Sequence, residues 1–159
     1  VAHGGDDYMV VYLQDGDIWA ANYSSRLNAG PVFEVADDTF DYFYPTIAYD
    51  PDSELFLLAF VYDVFGDGSD YDIYYATISS TQKVGSITAG PVSPLDELYP
   101  SVACNNGSCL VAWDYDNGSM IEGEYIYLDS SGITSTSVGR YNLTDSSNGM
   151  LPHLASGRY

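Results

Sequence analysis

Apolar residues in this chain fall in short runs, each broken by Asp, Gly, Asn, Ser or Pro, and nothing repeats with helical period. Runs of that length, rich in Tyr, Val, Ile and Phe, read as β-strands. Residues 8–13 (Tyr-Met-Val-Val-Tyr-Leu), 55–62 and 109–114 are apolar at nearly every position. A strand buried on both faces between two neighbouring sheets has this character. The predicted first unit has strands at 1–3, 8–13, 18–23 and 32–36, and the second at 46–49, 55–62, 73–78 and 86–92. The third has them at 101–104, 109–114, 124–128 and 136–143.

The three units are copies of one pattern. Tyr44-Pro45-Thr46-Ile47-Ala48 returns as Tyr99-Pro100-Ser101-Val102-Ala103 and as Leu151-Pro152-His153-Leu154-Ala155, and Val1-Ala2 is the end of another copy. The spacing is 46 residues from Val1 to Ile47, 55 from Ile47 to Val102 and 52 from Val102 to Leu154. The second strand of each unit ends apolar-aromatic (Val11-Tyr12, Ala59-Phe60, Ala112-Trp113), and the third opens Asp17-Ile18-Trp19, Asp72-Ile73-Tyr74 or Glu124-Tyr125-Ile126-Tyr127. Four short antiparallel strands repeated about every 50 residues match a β-propeller blade in size.

With these motifs the chain resembles the β-propeller repeat proteins of prokaryotic exteriors, whose blades carry Pro-x-Val-Ala, an apolar strand ending in Trp, then Asp-Ile-Tyr. The resemblance implies an all-β fold of four-stranded blades, a pattern shared by proteins of many roles. The blades would span residues 1–43, 44–98 and 99–150, with 151–159 as the first strand of a further blade. The chain lacks the Trp-Asp blade ending of WD40 repeats, the paired glycines of kelch repeats and the Ser-x-Asp-x-Gly-x-x-Trp box of sialidases. No enzymatic identity is carried over.

Three blades make an incomplete ring, since closed propellers need about 4 to 8. Apolar blade faces left open favour association. Two expectations follow: the sequence is part of a longer array, its first residue being Val rather than Met, or copies close or extend the ring. Residues 151–159 would then complete the blade begun at Val1, in the same copy or in a neighbour. A homo-oligomer or filament is the expected partner state.

Charge narrows the partners. With 23 acids against 4 bases the net charge is −19, which disfavours nucleic acid and acidic membrane surfaces. No run reaches the ~18 apolar residues of a membrane helix. Cations, basic surfaces and glycans remain. Cys104 and Cys109 bracket Asn105-Asn106-Gly107-Ser108, a turn across which a disulfide fits, two free thiols being the alternative. Asn22, Asn106, Asn117 and Asn142 begin Asn-x-Ser/Thr sequons. Together these point to an extracellular or cell-surface glycoprotein.

The candidate chemistry lies mostly in the loops. Most of the acids fall between second and third strands or between units, on one predicted rim. Asp63, Asp67, Asp70 and Asp72 share a loop with Gly66 and Gly68, and Asp114 and Asp116 form a shorter version. Carboxylates on a tight Gly-containing loop suit Ca²⁺, although neither loop has EF-hand spacing. Asp and Gly also populate hairpin loops for conformational reasons alone. Asp41, Tyr42, Tyr44, Asp96, Glu97 and Tyr99 flank the Tyr-Pro strands and are the candidates for a ligand at the mouth. No nucleophile elbow, P-loop or dinucleotide fingerprint is present. The expected role is structural or adhesive, with a glycan- or ligand-binding propeller as the alternative.

Overall fold

Two-residue turns set the hairpins. Asp15 and Gly16 sit at φ 57° and 95°, and Asn106 and Gly107 at 53° and 75°. Two consecutive positive φ values give the turn whose twist matches the flanking strands, and Asp-Gly and Asn-Gly are its preferred residues. The computed structural model describes residues 1–39, 41–116, 120–137, 141–144 and 151–155. Among these, all regular structure is β-strand: β1 (Ala2–Gly4), β2 (Asp7–Gln14), β3 (Asp17–Ser24) and β4 (Ala29–Ala36) come first. Next come β5 (Tyr42–Asp50), β6 (Leu55–Asp63), β7 (Tyr71–Ile78) and β8 (Lys83–Ala89). The last are β9 (Glu97–Asn105), β10 (Ser108–Tyr115), β11 (Met120–Asp129), β12 (Gly132–Thr136) and β13 (Tyr141–Asn142).

Each run of four forms its own antiparallel sheet in chain order, β1-β2-β3-β4, β5-β6-β7-β8 and β9-β10-β11-β12, with β13 also on β11. None of the three sheets closes on itself. The sheets stack in sequence order. First strands β1, β5 and β9 lie side by side, while β4, β8 and β12 touch sparsely, so the layers fan apart outward.

Two apolar cores hold the stack. Between the first and second sheets lie Met9, Ile18, Ala20 and Val35 with Phe56, Leu58 and Phe60. Between the second and third lie Leu57, Ala59, Val61, Ile73 and Tyr75 with Val111, Trp113 and Ile126. Alternate residues of β6 therefore enter different cores, and Leu55 through Val61 are all buried. Polar ties join the same layers. The Asn22 amide donates to the Ser80 carbonyl (2.9 Å), and the Gly107 N–H donates to Asp50 Oδ1 (2.9 Å). The Tyr75 hydroxyl donates to Glu124 Oε2 (3.1 Å) with both groups buried. Each bond satisfies a group whose burial would otherwise be costly.

Several expectations change. Residues 8–13 are not covered on both faces, since on the outer side Tyr8 stays 38% exposed and Val10 and Tyr12 are only half-buried. Their sheet is the end of the stack and packs on one side only. The last strand expected at 136–143 is instead β12 and β13, both on β11. First strands β5 and β9 begin earlier than the Pro residues suggested, because a bulge carries pairing past the Tyr-Pro pair. Residues 151–155 hold no strand, although the Leu154 N–H donates to Ser101 Oγ (2.9 Å) and anchors the segment beside β9. Residues 156–159 lie outside the described residues.

Candidate functional site

The Tyr-Pro pair decides the shape of the inner edge. In β5, Phe43 pairs with Val61 and Thr46 with Ala59, so Tyr44 and Pro45 together oppose one residue of β6. In β9, Leu98 pairs with Asp114 and Ser101 with Ala112, leaving Tyr99 and Pro100 opposite Trp113. Both are β-bulges, and proline, which has no N–H for the ladder, is tolerated there. Tyr44 and Tyr99 take φ 50° and 54°, and the third copy's Leu151 takes 53°. Bulky side chains rarely enter this left-handed region, so three such residues at equivalent positions are a built feature.

The bulges aim these side chains at a common space. Tyr44, Pro45 and Thr46, Tyr99, Pro100 and Ser101, and Leu151, Pro152 and His153 line an open groove of about 290 Å³. The Tyr44 and Tyr99 rings lie 4.6 Å apart at 50°. Hydrogen bonding with Tyr99, then burial, raises the Tyr44 hydroxyl above its ordinary pKa. Beside the groove a smaller cavity of about 140 Å³ is walled by Phe43, Tyr44, Tyr71 and Leu98. Phe43 and Tyr71 meet edge to face at 5.8 Å. Burial, then the charges of Asp63, Asp96, Asp41 and Asp67, raise the Tyr71 hydroxyl.

Of the six mouth candidates, Tyr44 and Tyr99 reach the groove. Tyr42 and Glu97, which hold the same register position ahead of the two bulges, turn inward instead. Tyr42 is 5% exposed and packs on Phe60, and Glu97 is fully buried and accepts from Ser93 Oγ (2.7 Å). The Asp41 and Asp96 carbonyls accept the amides of Asp63 (3.3 Å) and Asp116 (2.9 Å), equivalent bonds that fix both segments. Tyr71, Leu98 and His153 were not expected at the mouth. An aromatic residue closing an acidic loop was the one sequence signal for Tyr71.

The acidic loop is organised by its own backbone. Asp63 Oδ1 and Oδ2 accept the amides of Gly66 and Gly68, both at 2.9 Å, and Asp67 Oδ1 accepts from Ser69 (3.0 Å). Asp72 is buried and Oδ1 accepts from the Ser93 amide (3.5 Å). Burial, then Asp72, Asp96 and Asp63, raises the Asp70 carboxyl. Asp114 is buried, whereas Asp116 is exposed at φ 53°. Among the described residues no three His, Cys, Asp or Glu side chains converge in a geometry that could hold a metal ion.

Cys104 and Cys109 form the disulfide, as directly opposed residues of β9 and β10. Asn106, on the turn they bracket, and Asn142 are exposed. Asn22 is 6% exposed, and its Nδ2 donates to Asp7 Oδ2 (3.1 Å) and the Ser80 carbonyl, so a glycan on that nitrogen would replace one of the two donors. Asn117 lies outside the described residues. No described helix is long and apolar enough to cross a membrane.

A scan against protein-family models finds no match to this chain, and a search of curated proteins finds none either.

Proposed function

We propose that the protein is an extracellular structural module, a propeller-type arc of three blades that self-associates face to face. One observation supports this above the others: the internal packing interface occurs twice, and both its halves are left open at the ends of the stack. Pairing makes Met9, Leu57 and Leu110 equivalent, as partners of Ala2, Ala48 and Ala103. By the same register Val11, Ala59 and Ala112 correspond, and so do Tyr12, Phe60 and Trp113. In both internal interfaces the aromatic member faces the small-residue side of the preceding sheet. The first sheet has Tyr8, Val10 and Tyr12 on its outer side, and the third has Leu110, Ala112, Tyr125 and Tyr127.

Those end faces are uncovered where their internal equivalents are not. Tyr8 is 38%, Tyr125 43% and Tyr127 44% exposed, whereas Phe56 and Thr77 at the equivalent inner positions are 2% and 1%. Leu143 of the chain itself sits over Gly123 on the third sheet and covers part of that side. The proposed occupant of each open face is the opposite end of a second copy. Such a head-to-tail contact generates a ring if the rotation closes and a filament otherwise. Apolar area supplies the attraction, and the net charge of −19 opposes it.

Sedimentation of the full chain tests the reading. Masses at multiples of 17.3 kDa that grow with concentration are expected. Tyr12→Lys, placed on the first sheet's open side, is expected to return the chain to single copies while its circular dichroism stays unchanged. A folded species of one copy at every concentration and at high salt would remove self-association as the function.

A further inference from the structure

The small cavity beside the groove has a chemistry of its own. Its walls are three aromatic rings and Leu98, with Phe43 6.2 Å from Tyr44 and 5.8 Å from Tyr71 by ring centroids. Aromatic faces carry negative quadrupole density and attract a cation held within about 6 Å of the centroid. The surroundings add to that field, since Asp41, Asp63, Asp67 and Asp96 all act on the Tyr71 hydroxyl. Asp41 is exposed and Asp96 half-buried, so neither is withdrawn into the core. A bare metal ion seeks several oxygen ligands, which rings and a leucine do not provide. A neutral sugar would find few hydrogen-bond partners in such walls.

We infer that the cavity walled by Phe43, Tyr44, Tyr71 and Leu98 binds the head of an organic cation, a quaternary or alkylated ammonium. The apolar shell of such a group replaces water against the rings, and its diffuse charge meets the ring faces and the negative field of the surrounding aspartates. A volume of about 140 Å³ suits a head of this size. The adjoining groove past Tyr44 and Tyr99 leaves room for the remainder of the ligand. The head could belong to a free small molecule or to an alkylated lysine on another protein. Both share the same chemistry at this site, which does not depend on the sheet-face association.

Titration of the full chain with choline, followed by calorimetry at constant ionic strength, tests the inference against 3,3-dimethyl-1-butanol, the neutral isostere. Saturable binding of choline, with the isostere about tenfold weaker or more, is expected. Tyr71→Leu keeps an apolar wall but removes a ring, and is expected to weaken choline severalfold to tenfold. The double variant Asp41→Asn, Asp96→Asn keeps all rings and is expected to lower affinity severalfold at low salt. If Tyr71→Leu fails to fold, the double variant and the isostere decide alone. Equal affinity for the isostere, absence of saturation, or binding unchanged in both variants overturns the assignment. A trimethyl-lysine peptide that binds more tightly than choline places the head on a protein side chain, and one that binds no better places it on a small molecule.

Discussion

Single residues hold the layers at their working distances, and three of them make testable demands. Gly4 is buried where β1 passes β5, and a Cβ there would overlap the Tyr49 ring near its base. Gly4→Ala is therefore expected to lower stability by about 1–3 kcal/mol, read from the urea midpoint, because the ring cannot retreat without displacing β5. Asp50 is fully buried, and its carboxylate accepts the amides of Ser53 and Gly107, both at 2.9 Å. Asp50→Ala removes two charge-assisted bonds and is expected to cost roughly 3 kcal/mol, with Asp50→Asn intermediate. Glu124 supplies a pH dependence. Burial raises its pKa above the ordinary 4.5, while bonds from Thr136 and Tyr75 pull the other way. A raised carboxyl favours the fold when protonated, so its contribution is full below 4.5 and is lost as pH climbs through the folded value. The thermal midpoint is expected to fall as pH rises from 4.5 through the raised folded value, and Glu124→Gln to flatten that change.

At the scale of elements, turn chemistry and alternation made most strands legible. Residues 55–62, the longest apolar run, were expected as a second strand, and β6 occupies them with Leu55 through Val61 all buried. The β9–β10 hairpin was legible down to its disulfide, because Asn106-Gly107 fixes a two-residue turn that places Cys104 opposite Cys109. That bridge closes a very short loop. Reducing it is expected to cost no more than ~2 kcal/mol, since little chain entropy is removed from an unfolded segment of that length. A shift of several degrees in the thermal midpoint with reductant would agree, and complete unfolding would contradict it. The first strands were less legible. Proline usually ends a central strand, yet at Pro45 and Pro100 the ladder continues through a bulge in which the preceding tyrosine takes the strained conformation.

Across the whole molecule, stacking and charge work against each other. Two cores bind three sheets through apolar area, while the net charge of −19 repels itself over the same body. Screening should relieve that repulsion. Raising NaCl from about 0.05 M to about 1 M, which shortens the Debye length to about 3 Å, is expected to raise the thermal midpoint and to strengthen association. A midpoint that falls with salt would show that ion pairing outweighs self-repulsion here. Tyr12→Lys makes the chain less negative, so a loss of association that persists in high salt is a loss of packing.

Local chemistry in the chain was enough to specify an all-β body, its three-fold internal repeat, nearly every strand and the cysteine pairing. All of these depend on neighbours a few residues apart: turn residues, period-two patterning and opposed cysteines. Folding in three dimensions decided which residues meet across the repeats. Tyr44 and Tyr99 stand 55 positions apart, yet their rings lie 4.6 Å from each other because equivalent bulges turn both toward the same edge. Tyr44 and Tyr99 are marked locally by the proline that follows each, but that the bulge there sends Tyr42 and Glu97 inward and the two tyrosines to the mouth is visible only in the fold. Asn22 likewise reads as an exposed sequon until the loop at Ser80 packs over it from the neighbouring sheet. Such contacts are set by how layers stack, and no window of sequence contains both partners.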